Sequence, residues 1–142
     1  MRITEIESII LQHDMQEELG FAQGYYDKRT AHLVLVHTDE GLTGIGEIFG
    51  AGDFAFANQA ILRHVIAPQL VGRNPLDINV IWHDVYNSVR DHGQKGMPIC
   101  CLSGVDIALW DILGKATSQP LHQLLGGKAR DDFIAYGYGM MF

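Results

Sequence analysis

The stretch SGVDIALWDILGKATSQPLHQLLGG, residues 103–127, decides how the rest of the chain must be arranged. From Ile99 to Ala116 the residues are apolar nearly all round a helical wheel, interrupted only by Ser103, Gly104, Asp106, Asp111, Gly114 and Lys115. A helix of that kind must be covered on more than one side. Asp106 and Asp111 are five residues apart, about 140° around a helix, too divergent to share one metal ion. A carboxylate among apolar neighbours needs hydrogen bonds or a cation, so both are expected to tie this helix to its neighbours. Just downstream, Pro120–Gly127 reads as a short helix closed by glycine. Phe133–Gly139 then reads as a strand with small residues at 135, 137 and 139 and no partner nearby in sequence, followed by the apolar Met140, Met141 and Phe142.

Upstream of that helix the hydrophobic period changes twice. Residues 3–12 carry Ile and Leu between acids and are predicted to be a strand, whereas His13–Arg29 (HDMQEELGFAQGYYDKR) keeps no period and reads as a long loop. AHLVLVHT at 31–38, the turn residues Asp39-Glu40-Gly41, and LTGIGEIF from Leu42 make a hairpin. The first 50 residues are therefore expected to be a three-stranded antiparallel meander. After it, Asp53 is a candidate N-cap for a helix with Phe54, Ala57, Ile61, Leu62, Val65 and Ile66 on one stripe, ended by Pro68. Asn74-Pro75 signals the start of a second helix carrying Ile78, Ile81, Trp82, Val85 and Val89, closed near Gly93. The fold class is α+β, a meander followed by a helical bundle.

Composition removes several kinds of function. Apolar residues make up 47% of 142 and charged residues 19%, which excludes an unfolded tail or a coiled coil. Ten basic against 17 acidic residues give a net charge of −7, so nucleic acid and anionic lipid are not expected partners. The start MRITEIE lacks the apolar run of a secretory signal, and no window is expected to approach the roughly 20 apolar residues needed to cross a bilayer. The adjacent Cys100 and Cys101 are poorly placed to bridge each other, and a cytoplasmic location is expected.

Few residues point to chemistry. Gly44, Gly46 and Gly50 miss the spacing of a dinucleotide-binding turn by one residue and read more simply as tight turns. The seven histidines show no ligand spacing; His32 and His37 fall on opposite faces of a strand. The acid pairs Glu17-Glu18, Asp39-Glu40 and Asp131-Asp132 read as solvated turn charges. The segment 13–29 is the most suggestive, since it holds the rings of Phe21, Tyr25 and Tyr26 beside Lys28 and Arg29. Rings exclude water and cations hold anions, which suits either a lid over a carboxylate substrate or a loop anchored by its aromatics.

Taken in order, the meander, the GIGE segment at 44–47, the helices and the DIALWD, GK and LLGG motifs at 106–111, 114–115 and 124–127 resemble the enolase superfamily, in its mandelate racemase and muconate lactonizing enzyme branch. Ser103-Gly104 and Ile81-Trp82 are more similar to the mandelate racemase subgroup, which includes sugar-acid dehydratases. The resemblance implies a capping domain over residues 1–97, junction helices over 98–131, and over 132–142 the first strand of a TIM-like barrel whose remainder is absent. It implies a homo-oligomeric enzyme that uses Mg²⁺ to abstract the proton alpha to a carboxylate, with a sugar acid as substrate. Metal ligands and catalytic groups are expected beyond Phe142, so the 142 residues alone are expected to be inactive. The cap's share, segments 13–29 and 49–53, implies substrate-binding roles for Tyr25 and Tyr26 as pocket walls, Lys28 as an attractor of anions or hydroxyls, and Phe49 as apolar closure. Racemase, epimerase and cycloisomerase activities are the alternatives within the superfamily. A free-standing interaction module is the alternative outside it.

Overall fold

The computed structural model describes residues 1–50 and 52–137, apart from the side chain of Phe21. Strands β1 (Ile3–Phe21), β2 (Gly24–Thr38) and β3 (Thr43–Ile48) form one antiparallel sheet in the order β1-β2-β3. The helical part comprises α1 (Phe54–Ile61), a π turn (Leu62–Ile66), α2 (Ala67–Leu70), α3 (Ile78–Val89), α4 (Met97–Thr117) and α5 (Leu121–Leu124). The predicted α+β architecture is therefore present.

On β2, His32, Val34, Val36 and Thr38 are buried while the residues between them are only half-buried. This period of two turns one face of the sheet to the helices. Ile3, Val34, Val36 and Ile48 from that face join Leu62, Ile66 and Leu70, Ile78, Ile81 and Val85 of α3, and Leu102, Val105, Leu109 and Ile112 of α4 in one core.

The long loop expected over 13–29 is instead a continuation of the hairpin. β1 and β2 run on as a two-stranded ribbon to the turn at Ala22-Gln23, with Phe21 opposite Gly24. The ladder is interrupted once, where residues 15–18 of β1 bulge opposite Asp27, between the pairs Asp14/Lys28 and Leu19/Tyr26. A ribbon projecting beyond the helices has no face to bury, so its sequence carries no apolar alternation from which a strand could be read.

Pro68 does not end the first helix. The chain stays right-handed from Phe54 to Leu70, with the π turn just before the proline. Pro68 offers no N–H to the carbonyl of His64, and the widened turn accommodates its ring. Asp53 makes no side-chain cap bond. The start signal at Asn74-Pro75 also lies early: Asn74 Oδ1 accepts from the Leu76 N–H at 3.2 Å, closing an Asx turn, and α3 begins at Ile78.

α4 lies backbone to backbone on β3. A Cβ on Gly44 would collide with the Ala108 carbonyl oxygen, and one on Gly46 with that of Gly104, each far closer than 3.0 Å. Gly44 and Gly46 are thus packing glycines within a strand, correcting their reading as turn residues, whereas Gly41, at φ +81°, does occupy the hairpin turn. α4 also closes the free edge of β3: Asp111 Oδ2 accepts from the Ile45 N–H at 2.9 Å, and Lys115 Nζ donates to the Thr43 carbonyl at 2.6 Å and to Asp111 at 2.7 Å. One ion pair supplies both an acceptor and a donor to an edge that is otherwise open to another strand.

By length and composition α4 is apolar enough to cross a bilayer, contrary to the expectation that no stretch approaches this. Its apolarity has another cause, because seven of its residues are buried against the sheet and α3. Near the end of the chain Phe133–Gly137 are exposed and form no ladder, so the strand expected over 133–139 is not formed among the described residues. A strand exists by virtue of its neighbour, and this segment has none here. The rest of the barrel strand expected over 132–142, from Tyr138 to Phe142, lies outside the described residues.

Candidate substrate-facing site

The tip of the β1–β2 ribbon leans toward the start of α1, and two adjoining concavities lie there. The first, of 540 Å³, is lined by Gly24, Tyr25, Tyr26, Gly52, Asp53, Phe54 and Ala57. The second, of 370 Å³, is lined among others by Tyr26, Lys28, Arg29, Glu47 and Phe49. Tyr26 is the wall they share. All four side chains singled out in the sequence, Tyr25, Tyr26, Lys28 and Phe49, therefore line one composite surface formed by the ribbon and the turn after β3.

Each is placed by an identifiable local cause. Tyr25 stands opposite Gly20 in the ladder, and its ring fills the space into which a Gly20 side chain would project. An aromatic ring laid over a cross-strand glycine restores the contact that glycine cannot make. The Arg29 guanidinium lies 5.8 Å from the centre of the Tyr26 ring, within cation–π range. Lys28 faces Asp14 across the ladder at 4.0 Å, and both side chains are well solvated. Such a pair is weak and readily gives way to another anion. Phe49 is 79% exposed, so its ring is offered to whatever occupies the second concavity.

Phe54, Ala57, Thr30 and Glu47 also line the site, and nothing in their spacing marks them for it. The sequence pattern puts Phe54 and Ala57 on the core-facing stripe of α1, yet both are exposed; the helix buries Ala55 and Asn58 instead. Glu47 projects from the outer face of β3 because its neighbours Gly46 and Ile48 face α4.

The other candidate carboxylates do not converge on this surface. Asp111 serves the edge of β3, as expected for a helix-to-neighbour tie. Asp106 departs from that expectation: among the described residues it has no hydrogen-bond or ion-pair partner, and burial raises the pKa of its carboxyl. Among the described residues no three His, Cys, Asp or Glu side chains are gathered where they could hold a metal ion. What the surface can do by itself is bind: it combines aromatic walls, the two cations Lys28 and Arg29 and the two carboxylates Asp53 and Glu47.

The family model of the mandelate racemase / muconate lactonizing enzyme N-terminal domain matches residues 5–126. The chain is 37% identical over 139 residues to the D-galactarolactone cycloisomerase of Agrobacterium fabrum, covering 98% of this chain and 36% of that protein. It is 40% identical over 106 residues to the D-xylonate dehydratase of Haloferax volcanii, covering 73% and 24% respectively. Among solved structures, a member of the enolase superfamily from Polaromonas sp. JS666 superposes with a TM-score of 0.83 at 36% identity, over 98% of this chain and 38% of that one. The chain thus spans little more than a third of the length of these relatives at most. With the domain matched from the meander to the LLGG closure and the fold shared throughout, the chain belongs to the mandelate racemase and muconate lactonizing enzyme family of the enolase superfamily, in whose N-terminal domain it lies.

Proposed function

We propose that this chain is the substrate-selecting cap of an enolase-superfamily enzyme acting on a sugar acid, as a dehydratase. The reading rests above all on one observation: the ribbon tip and the turn after β3 enclose two joined concavities with tyrosine walls and cations at one side. Aromatic faces suit the C–H surfaces of a polyhydroxylated chain, while Lys28 and Arg29 suit its hydroxyls or a carboxylate. In this reading residues 1–97 are the cap, 98–131 join it to a barrel, and 132–142 become the first barrel strand once neighbouring strands pair with them. The groups that would take the proton alpha to the carboxylate, and those that would hold a Mg²⁺ ion able to stabilise negative charge there, belong in this reading to the barrel and not to these residues. In this reading the whole enzyme is a cytoplasmic homo-oligomer.

Cycloisomerisation of a sugar-acid lactone is the second reading. It is favoured by the extent of the match to the D-galactarolactone cycloisomerase, which covers 98% of this chain against 73% for the dehydratase. Product analysis of the whole protein against a panel of sugar acids and their lactones separates the two. In the same assay Tyr25→Ala and Tyr26→Ala are expected to lower kcat/KM for the preferred substrate by roughly tenfold each, the loss of about 1.4 kcal/mol of contact. Unchanged turnover and substrate preference in both variants would remove the selecting role from the ribbon.

A further inference from the structure

Asn58 is 1% exposed in the interior of α1, a place that an apolar residue would fill at lower cost. Half of its hydrogen-bonding capacity is unused, since Oδ1 is buried without a partner. What the amide does provide is a single bond: Nδ2 donates to the Phe49 carbonyl at 2.9 Å. The next residue is shaped to allow it, because a Cβ on Gly50 would stand 2.6 Å from that same nitrogen. The Asn58 backbone is anchored in turn, its carbonyl accepting from the Cys101 thiol of α4 at 3.4 Å. Burial raises that thiol pKa to about 12, so it stays protonated and keeps its donor.

We propose that Asn58 is the positioning residue of the substrate-facing surface, fixing Phe49 and Gly50 against α1 so that the rim between the two concavities is held by the core. Phe49 and Gly50 line one concavity and α1, which carries Asn58, supplies Phe54 and Ala57 to the other, so one buried bond ties the two walls together. The assignment rests on the reading of these concavities as the substrate side of the cap, but the bond and its effect on the turn are measurable without substrate.

Hydrogen exchange by mass spectrometry on the protein that carries this chain tests it, with Asn58→Ala deleting the donor and Gly50→Ala displacing it from the other side. Both are expected to speed exchange in the peptide spanning Phe49 to Phe54 by roughly three- to tenfold, the equivalent of one lost net hydrogen bond. β3 and α4 should keep their protection. If Asn58→Ala fails to fold, Gly50→Ala alone decides, since it leaves the core side chains in place. Unchanged exchange in that peptide, or an equal rise across β3, α1 and α4, overturns the proposal by making Asn58 an ordinary core residue. Loosening confined to the turn supports the clamp even if Phe49→Ala leaves substrate preference as it was; that second result counts against the substrate-facing reading alone.

Discussion

At the scale of single residues, the polar groups inside the core are the informative ones. His32 is fully buried on β2, its Nε2 lying 2.8 Å from Ser8 Oγ, and Ser8 Oγ accepts from Gln59 Nε2 at 3.0 Å. Ser8 thereby links β1, β2 and the helix. The other ring nitrogen, Nδ1, has no partner, so a protonated ring would carry a buried N–H with nothing to accept it. Burial foremost, and the charge of Arg63 after it, hold the pKa of His32 below that of an ordinary imidazole. The unfolded chain, with its histidine near 6.5, then binds more protons than the native one as the pH falls below that value. Stability contributed by the neutral ring is present above that pH and lost on acidification. The unfolding free energy from urea titrations is expected to fall between pH 7 and pH 5, by at most about 1.4 kcal/mol per pH unit from this group, and His32→Gln should flatten that part of the slope. An undiminished slope in the variant would assign it to other groups.

At the scale of elements, the contact of α4 with β3 carries the fold. Helix and strand backbones touch because Gly44, Gly46 and Gly104 have no side chains, and the Asp111–Lys115 pair reaches across to the strand edge. Gly46→Ala drives a methyl group into a carbonyl oxygen that cannot rotate away, so helix and strand must separate. A loss of about 3 kcal/mol or more is expected in denaturant titrations, at the upper end for an overpacked core. A cost below about 0.5 kcal/mol would mean that the two backbones do not meet at this point. The ribbon behaves oppositely. It is joined to the sheet past the bulge at residues 15–18, and away from the helices its stability rests on cross-strand pairs alone.

At the scale of the whole molecule, one flank of α4 remains incompletely covered: Ile107 is 45% exposed, and Asp106 and Trp110 are half-buried. The all-round apolarity of this helix is accounted for on the β3 and α3 sides by the core, and in the proposed assembly on the remaining side by the barrel. If the proposed reading holds and these residues are the cap alone, the purified 142-residue chain is expected to convert none of the sugar acids or lactones in the panel. Turnover by that chain would contradict the division of labour between cap and barrel.

The hairpin of residues 31–48, the amphipathic α3 and the long α4 could be read from the sequence because each buries one face or more, and burial imposes a period on the residues. Tyr25, Tyr26, Lys28 and Phe49 could be named as a group from their residue types and the family resemblance. The ribbon was invisible for want of a buried face, and the passage of the helix through Pro68 depended on a π turn with no sequence signature of its own. Gly44 and Gly46, the half-used amide of Asn58 and the exposure of Phe54 took their meaning from how the elements pack. Local periodicity records which side of an element avoids water. Which atoms then meet across the core is decided only when distant segments pack, since close contact depends on where their backbones come to rest.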